Sequence, residues 1–432
     1  MTGAKTPGVH KLDPTFGPRK NGLTWFKFPE HENGSAEGIT VAPDGKLLIA
    51  GHVGNKFSIV RLNANGKQDT SFSKDGVASG IFAPGYRSFG GSVTILGNKN
   101  LLLDGFFYLH EKAQAQRGLA MFRSDGTPDT RFGDNGVKLV DPIPLPVLIP
   151  PDMQPRQNRT TAADLSGRSI ELDNGKLMVL SNHRYSVNDQ CGLLIRLQSN
   201  GDLDTTFGKG KGYVAIRYLA NFTWTGPMIR LHDGRFAIAG NVSGNFGYRA
   251  MIALFSAEGE PVLEFGDKGY ALFDDLDTFS QINALVEMPD GNIVGIGSAT
   301  DESYVSKGVL VCVNRKGDFV QGFNQGKPVQ TSWPNARYGI QWTSGKLRDG
   351  GRIIVLASTH GEENSEIVIA QFKSDGRPDD FADNGVLVIN LTNVLDMGES
   401  IALQNNRIVV SGTSLPYPDG VRSFAFRCAD TF

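Results

Sequence analysis

Apolar positions along the chain fall into short runs with a two-residue alternation, and no stretch keeps the spacing of a helix face. The clearest runs flank a tight turn: ITVAPDGKLLIAG, SVTILGNKNLLLDG, SIELDNGKLMVLS, MIRLHDGRFAIAG, ALVEMPDGNIVGIG, GKLRDGGRIIVLA and SIALQNNRIVVSG. Asp-Gly and Asn-Gly tolerate the positive φ that short hairpin turns require, so each run predicts two antiparallel strands. A third apolar run follows after a loop of variable length, as in FSIVRLNANG, GLAMFRSDG and GLLIRLQSNG. A fourth, shorter run follows an FG-type turn, as in VASGIF, VKLV and YVAI.

That FG turn sets the period. Segments of the form G-x-x-D-x-x-F-G-x-x-G recur as LDPTFGPRKNG, GKQDTSFSKDG, GTPDTRFGDNG and GDLDTTFGKGKG, with weaker copies GEPVLEFGDKG, GDFVQGFNQG and GRPDDFADNG. Their phenylalanines are Phe16, Phe72, Phe132, Phe207, Phe265, Phe323 and Phe381, separated by 56, 60, 75, 58, 58 and 58 residues. One unit therefore repeats, with an insertion in the third interval. Four short strands per unit at a fixed period predict an all-β, seven-bladed β-propeller of four-stranded blades. The last unit lacks its fourth strand, and LTWFKFP near the start has no unit before it. This N-terminal strand is expected to complete the last blade by pairing with residues 423–428, closing the ring and sparing both an exposed edge. Residues 1–432 then form a single domain, with 141–168 as a Pro-rich insertion.

On these motifs the sequence resembles the bacterial delta-60 repeat family, whose unit carries a strand, a DG turn, a strand ending in Gly, an IxRL-type strand and a D-x-x-FG turn. It is similar, more loosely, to NHL-type propellers. The first resemblance spans essentially the whole chain and implies a β-propeller of bacterial proteins with no established reaction or catalytic residues. The second implies that the strand before the DG turn lines a central channel and the strand after the FG turn lies outermost. The DG and FG turns would then share one face, and the variable loops the other.

Composition narrows the function. The 43 basic and 45 acidic residues leave a net charge of -2 with no long charged block, so no nucleic-acid partner is expected. No apolar run reaches the roughly 18 residues of a membrane-spanning helix, and the first residues lack the apolar core of a secretory signal. No membrane insertion is expected, and the protein is placed in the cytoplasm or on a signal-independent export route. Cys191, Cys312 and Cys428 are far apart in sequence and form no CxxC pair, so they are read as reduced core thiols. The motif aspartates, such as Asp69, Asp129 and Asp204, suit Asx-type turns, with the Phe plugging between units. A calcium loop competes for the same residues, but its alternating ligand spacing is absent. No metal and no cofactor are expected.

Variable loops on a rigid scaffold are where function concentrates. They bring Tyr86, Tyr108, Tyr185, Trp224, Tyr248, Tyr304, Trp333, Tyr338 and Tyr417 towards one face, with Arg337 and the histidines His110, His183 and His360. Aromatics among Asn, Asp and Arg suit sugar faces or protein anchors; packing between blades is the competing reading. The histidines, with Glu362 and Glu363 beside His360, offer acid–base chemistry, but no HExxH, nucleophile elbow or phosphate loop accompanies them. They are read as solvated, as is the acidic stretch at Asp274, Asp275 and Asp277. In the insertion, Leu145, Val147, Leu148 and Ile149 are expected to lie against the propeller or a second subunit. The expected function is a non-catalytic recognition or scaffold module that binds a protein or glycan on the variable-loop face, through Tyr86, Tyr108, His183, Tyr185, Trp224, Tyr248, Tyr304, Trp333, Arg337 and His360. The alternative is a hydrolase or lyase with its active site in the funnel at the channel mouth.

Overall fold

The computed structural model describes residues 11–28, 33–109, 114–140, 169–186, 189–244, 247–333, 336–359, 365–382, 385–392, 394–415 and 420–429. The insertion at 141–168 and its apolar residues, with His110, His360, Glu362, Glu363 and Tyr417, lie outside them. No helix among the described residues is long and apolar enough to cross a membrane.

The chain is all-β. It opens with a short strand, β1 (Leu23–Trp25), and then builds four-stranded antiparallel sheets in chain order. The first holds β2 (Gly34–Val41), β3 (Leu47–Val53), β4 (Lys56–Leu62) and β5 (Val77–Gly80), and the second β6 (Ser88–Ile95), β7 (Leu101–Leu109), β8 (Gln114–Phe122) and β9 (Val137–Val140). The third holds β10 (Ser169–Glu171), β11 (Leu177–Ser186), β12 (Asp189–Leu197) and β13 (Tyr213–Ile216). Next come β14 (Thr223–Arg230), β15 (Phe236–Ser243), β16 (Tyr248–Phe255) and β17 (Tyr270–Leu272), then β18 (Phe279–Glu287), β19 (Ile293–Thr300), β20 (Ser306–Val313) and β21 (Val329–Thr331). One parallel pair, Tyr248 with Phe279, links these two groups into a sheet of eight. A further sheet holds β22 (Ile340–Arg348), β23 (Arg352–Thr359), β24 (Ile367–Phe372) and β25 (Val386–Ile389). The last joins both ends of the chain: β26 (Leu395–Gln404), β27 (Arg407–Leu415) and β28 (Arg422–Arg427), with β1 antiparallel to β28 from Leu23 opposite Phe426 to Trp25 opposite Phe424.

The FG motif couples each sheet to the next. Phe16 and Phe207 are fully buried, each packed under the glycine of the following unit's turn. Gly66 has φ 81°, and a Cβ there would lie 2.7 Å from the Phe16 ring; at Gly259, φ 82°, it would lie 2.4 Å from that of Phe207. Only glycine meets both demands. The same contact recurs as Phe72 under Gly126, Phe132 under Gly201 and Phe323 under Gly376. The residue after each of several of these phenylalanines also donates its N–H to the next turn: Gly17 to Asn65 O (2.8 Å), Ser73 to Asp125 O (2.8 Å) and Gly133 to Asn200 O (2.8 Å).

The motif aspartates hold the turn itself. Asp204 accepts the Thr206 N–H and hydroxyl, Lys176 Nζ at 2.9 Å and Arg196 Nε at 2.5 Å. Asp69 does the same with Ser71, Lys46 and Arg61, and Asp13 with Thr15, Arg407 and Arg427. These carboxylates are engaged by backbone and cations, which supports the structural reading of the motif over calcium. Two weaker copies replace Asp by Val262 and Val320, and the strand residues beside them become Leu254 and Cys312. The aspartate and its strand cation have been exchanged together for apolar side chains, which avoids an orphaned ion, while Arg235, at the place of Lys46 and Lys176, pairs with Asp233 instead. Cys191, Cys312 and Cys428 are buried and unbridged, and burial pushes the Cys312 thiol up to about 12.

The core consists of clusters that each span two neighbouring sheets. Leu48, Ala50 and Ile59 meet Val93, Leu103 and Ala120, while Met178 and Leu194 meet Ile238 and Met251. Another cluster joins the first sheet to the last, through Ile39, Ile49 and Val60 against Ala402, Val409 and Ala425. Polar bonds cross the same seam: Ser423 Oγ donates to Gly34 O at 2.6 Å, and Gln404 Nε2 to Gly45 O at 2.5 Å.

Asp204→Ala is expected to cost about 3 kcal/mol in urea unfolding, because it strands Lys176 and Arg196. Hydrogen bonds and cations hold the Asp204 carboxyl below its ordinary value of 3.8 against the opposing effect of burial, the largest single influence. Its folded pKa is depressed, so its contribution is present above the unfolded value and fades as pH falls below it. The gap between wild type and the alanine variant should therefore narrow in acid.

Candidate functional site

The first strand of most sheets carries an extra residue, a β-bulge, at one register position. In β2 the ladder steps from Ala36 to Gly38 and leaves out Glu37. The equivalent residues are Gly91 in β6, Asn283 in β18, Thr343 in β22 and Glu399 in β26, while β14 leaves out Gly226 and Pro227. Each lies seven residues before the centre of its hairpin turn, at Asp44, Asn98, Asp233, Asp290, Gly350 and Asn406. First strands of successive sheets contact one another, β2 with β6 and β26, and β22 with β18 and β26. The bulge residues therefore form a belt, polar on β18, β22, β26 and β2 and glycine on β6 and β14.

The belt has a chemical centre. Ser35 Oγ donates to Glu37 Oε1 at 2.7 Å and lies 2.5 Å from His52 Nδ1. A serine hydroxyl has one proton, so the ring must donate to Ser35 through Nδ1–H, giving a relay from His52 through Ser35 to Glu37. Burial, followed by the Arg87 guanidinium, holds His52 down at about 4, which keeps its ring neutral at neutral pH. Burial also raises Glu37 above the ordinary glutamate value, against the Ser35 hydrogen bond. Glu399 is raised well above that value, by burial first and then by the negative charge of Glu37. Asn283 and Thr343 are partly committed to the fold, Asn283 Nδ2 donating to Trp342 O at 2.9 Å and Thr343 Oγ1 to Leu356 O at 3.3 Å.

Two residues before the bulge, towards the variable loops, stand Phe89 on β6 and Trp224 on β14, the two strands whose belt residue is glycine. Phe89 anchors an aromatic corner: His52 lies edge-on at 4.9 Å, Phe106 is stacked at 5.0 Å, Tyr108 is edge-on at 6.0 Å and the Arg87 guanidinium sits 5.3 Å over its ring.

The structure scatters the other residues singled out from sequence. Tyr108 belongs to the aromatic corner, and Trp224 is half-buried opposite Asn241. Tyr86 and Trp333 pack against inter-sheet clusters, the competing reading of the loop aromatics. His183 corrects the loop reading: it lies in β11 opposite Cys191 and is only 4% exposed, at a register position held elsewhere by Val53, Phe107 and Val242. Tyr185 lies in β11, where only its backbone is described. Tyr248 leans on Phe279 at 5.4 Å, Tyr304 is 70% exposed, and the Arg337 guanidinium sits 5.3 Å over Tyr338. Asp274 and Asp277 are paired with Arg249 (2.6 Å) and Lys307 (3.1 Å).

Glu37, Glu399, Ser35, His52 and Phe89 fell within segments read from sequence as loops and were not singled out there; the structure places them on β2, β26, β3 and β6. Counting back from the hairpin turns would have found them, since the belt position varies from glycine to glutamate while its flanks stay apolar or small.

The folded state binds the extra proton on Glu399 more tightly than the unfolded chain does. Wild-type stability should therefore decline as pH rises from the ordinary value of 4.5 through the raised folded one. Glu399→Gln removes that titration, and its melting temperature relative to wild type is expected to climb between about pH 4 and pH 8.

Residues 42–72 and 173–207 match a family model described as a domain of unknown function (DUF5122) beta-propeller. No curated protein matches the chain in sequence. Similar solved structures include a catalytically inactive virginiamycin B lyase from Staphylococcus aureus with quinupristin, at 12% identity and TM-score 0.45, covering 94% of this chain and 98% of that one. The polysaccharide lyase Uly1 gives 9% identity and TM-score 0.49, with coverage of 94% and 91%. A protein of unknown function from Dyadobacter fermentans gives 11% identity and TM-score 0.41, with coverage of 94% and 99%. The chain is an all-β protein of four-stranded sheets, and two of its segments match a β-propeller-type repeat model.

Proposed function

We propose that the sheets are the blades of a closed seven-bladed propeller, and that it acts as a non-catalytic recognition module binding a glycan at the variable-loop mouth of its central channel. Closure is supported by β1 in the last sheet, by the cluster joining first and last sheets, and by Asp104, which binds Arg117 of β8 and Ser169 of β10 across the interval that holds the insertion. In this reading the eight-stranded sheet is two blades.

The observation that carries the function is the two-sidedness of the belt. In a closed ring, Phe89 on β6 would stand opposite β18 and β22, and Trp224 on β14 opposite β26 and β2, with β2 and β18 as the polar neighbours of the two glycine strands. Aromatic faces opposite hydrogen-bonding side chains match a sugar ring, which has an apolar face and a hydroxyl rim. Glycine at the belt leaves room for the ligand where a side chain would fill the channel. Binding to an oligosaccharide array followed by calorimetry tests this. Trp224→Ala and Phe89→Ala are each expected to weaken the affinity about tenfold, with the melting temperature unchanged for Trp224→Ala. A full-affinity double variant would contradict the site.

The Glu37–Glu399 pair favours a second reading, a hydrolase or lyase acting in the same place. Two interacting carboxyls, one with its pKa raised well above the ordinary value, can divide acid and base roles. Product formation from a bound oligosaccharide, lost in Glu399→Gln while binding persists, would select it.

A further inference from the structure

The register that aligns the bulges also aligns a position three residues deeper, towards the hairpin turns. It is occupied by Thr40, Thr94, Ile170, Ile229, Val286, Lys346 and Ala402. Six units use a hydroxyl or an apolar side chain there, so the repeat does not require an ammonium. Lys346 on β22 is a departure from the fold's own pattern.

Its charge is also unanswered. The cations around the motif aspartates are paired: Lys46 and Arg61 with Asp69, Lys176 and Arg196 with Asp204, Arg352 with Asp379, and Arg407 and Arg427 with Asp13. Among the described residues no hydrogen bond or ion pair reaches Lys346 Nζ. The side chain is accessible to water, yet crowding by protein lowers its pKa from the ordinary 10.5, with burial the sole cause. An ammonium surrounded by protein, open to water and without a counter-ion of its own, favours an anion brought to it.

We propose that Lys346 receives an anionic group, a carboxylate or a sulfate, carried by the ligand, which makes the recognised glycan an acidic one. This rests on the glycan reading of the channel mouth. Three residues of strand place Lys346 about 10 Å below the Glu37–Glu399 level. The acidic group would therefore lie deep, with neutral sugar at the belt and against Phe89 and Trp224. When it holds a proton, Glu399 can donate a hydrogen bond to that neutral sugar and adds no negative charge against the acidic group below.

The test is calorimetry on wild type, Lys346→Met and Lys346→Arg. The probes come in pairs that differ only in charge: oligogalacturonates against their methyl esters, and sulfated against desulfated oligosaccharides. Wild type should prefer one charged member by about tenfold or more. Lys346→Met should lose that preference while keeping its affinity for the neutral partner, and Lys346→Arg should retain most of it. The pair that shows the preference identifies carboxylate or sulfate. Equal affinity within each pair, or a preference unchanged in Lys346→Met, overturns the proposal and leaves the glycan reading intact. If no oligosaccharide of either charge binds, the glycan reading fails and the proposal with it. Lys346-dependent binding of oligoglutamate alone overturns the acidic-glycan assignment in favour of an acidic peptide.

Discussion

A phenylalanine ring under a glycine of the next repeat is the contact on which the rest of this molecule depends. Each sheet, apolar on both faces, must bury itself against two neighbours, and the FG turn fixes how. Phe16 under Gly66 and Phe207 under Gly259 admit no Cβ, and the adjoining backbone hydrogen bonds set the distance between turns. Repeated along the chain, this joint stacks sheet on sheet at constant spacing, as in other repeat architectures whose units contact mainly their neighbours. It also keeps the first strands in one register, and that is why six bulges fall at one level.

The joint tolerates a change of chemistry provided the geometry is kept. Asp204 with Lys176 and Arg196 fills the same place as Val262 beside Leu254, and as Val320 beside Cys312. Removing the aspartate while keeping its strand cation would be costly, and at Val262 and Val320 the two have changed together. This gives a criterion for function. Residues that vary in step with a partner preserve the fold, whereas Glu37, Glu399 and Lys346 vary with no compensating change in the repeat. The account places the ligand at those departures.

Much of the fold was legible because its signals are local and repeated. Asp-Gly and Asn-Gly turns mark the hairpins, the FG motif marks the period, and LTWFKFP lacked a partner until the last unit was found to be a strand short. The β1–β28 pairing follows from that count. The site was less legible. Loop aromatics drew attention because loops vary, but Tyr86 and Trp333 pack inward. His183 sits on a buried strand position, since the β11–β12 hairpin runs on to Ser186 and Asp189. The glutamates lay in segments read as loops between repeats, among other polar residues. Their meaning depends on the bulges of six first strands, which send residues out of the pleat, and on contact between strands hundreds of residues apart.

The most direct test is a crystal structure of the protein with a bound oligosaccharide. The account predicts a closed ring of seven four-stranded blades, with a sugar ring lying between Trp224 on one side and Glu37 and Glu399 on the other. A ligand seated on the outer rim or on the face of the hairpin turns, with the channel mouth empty, would contradict it.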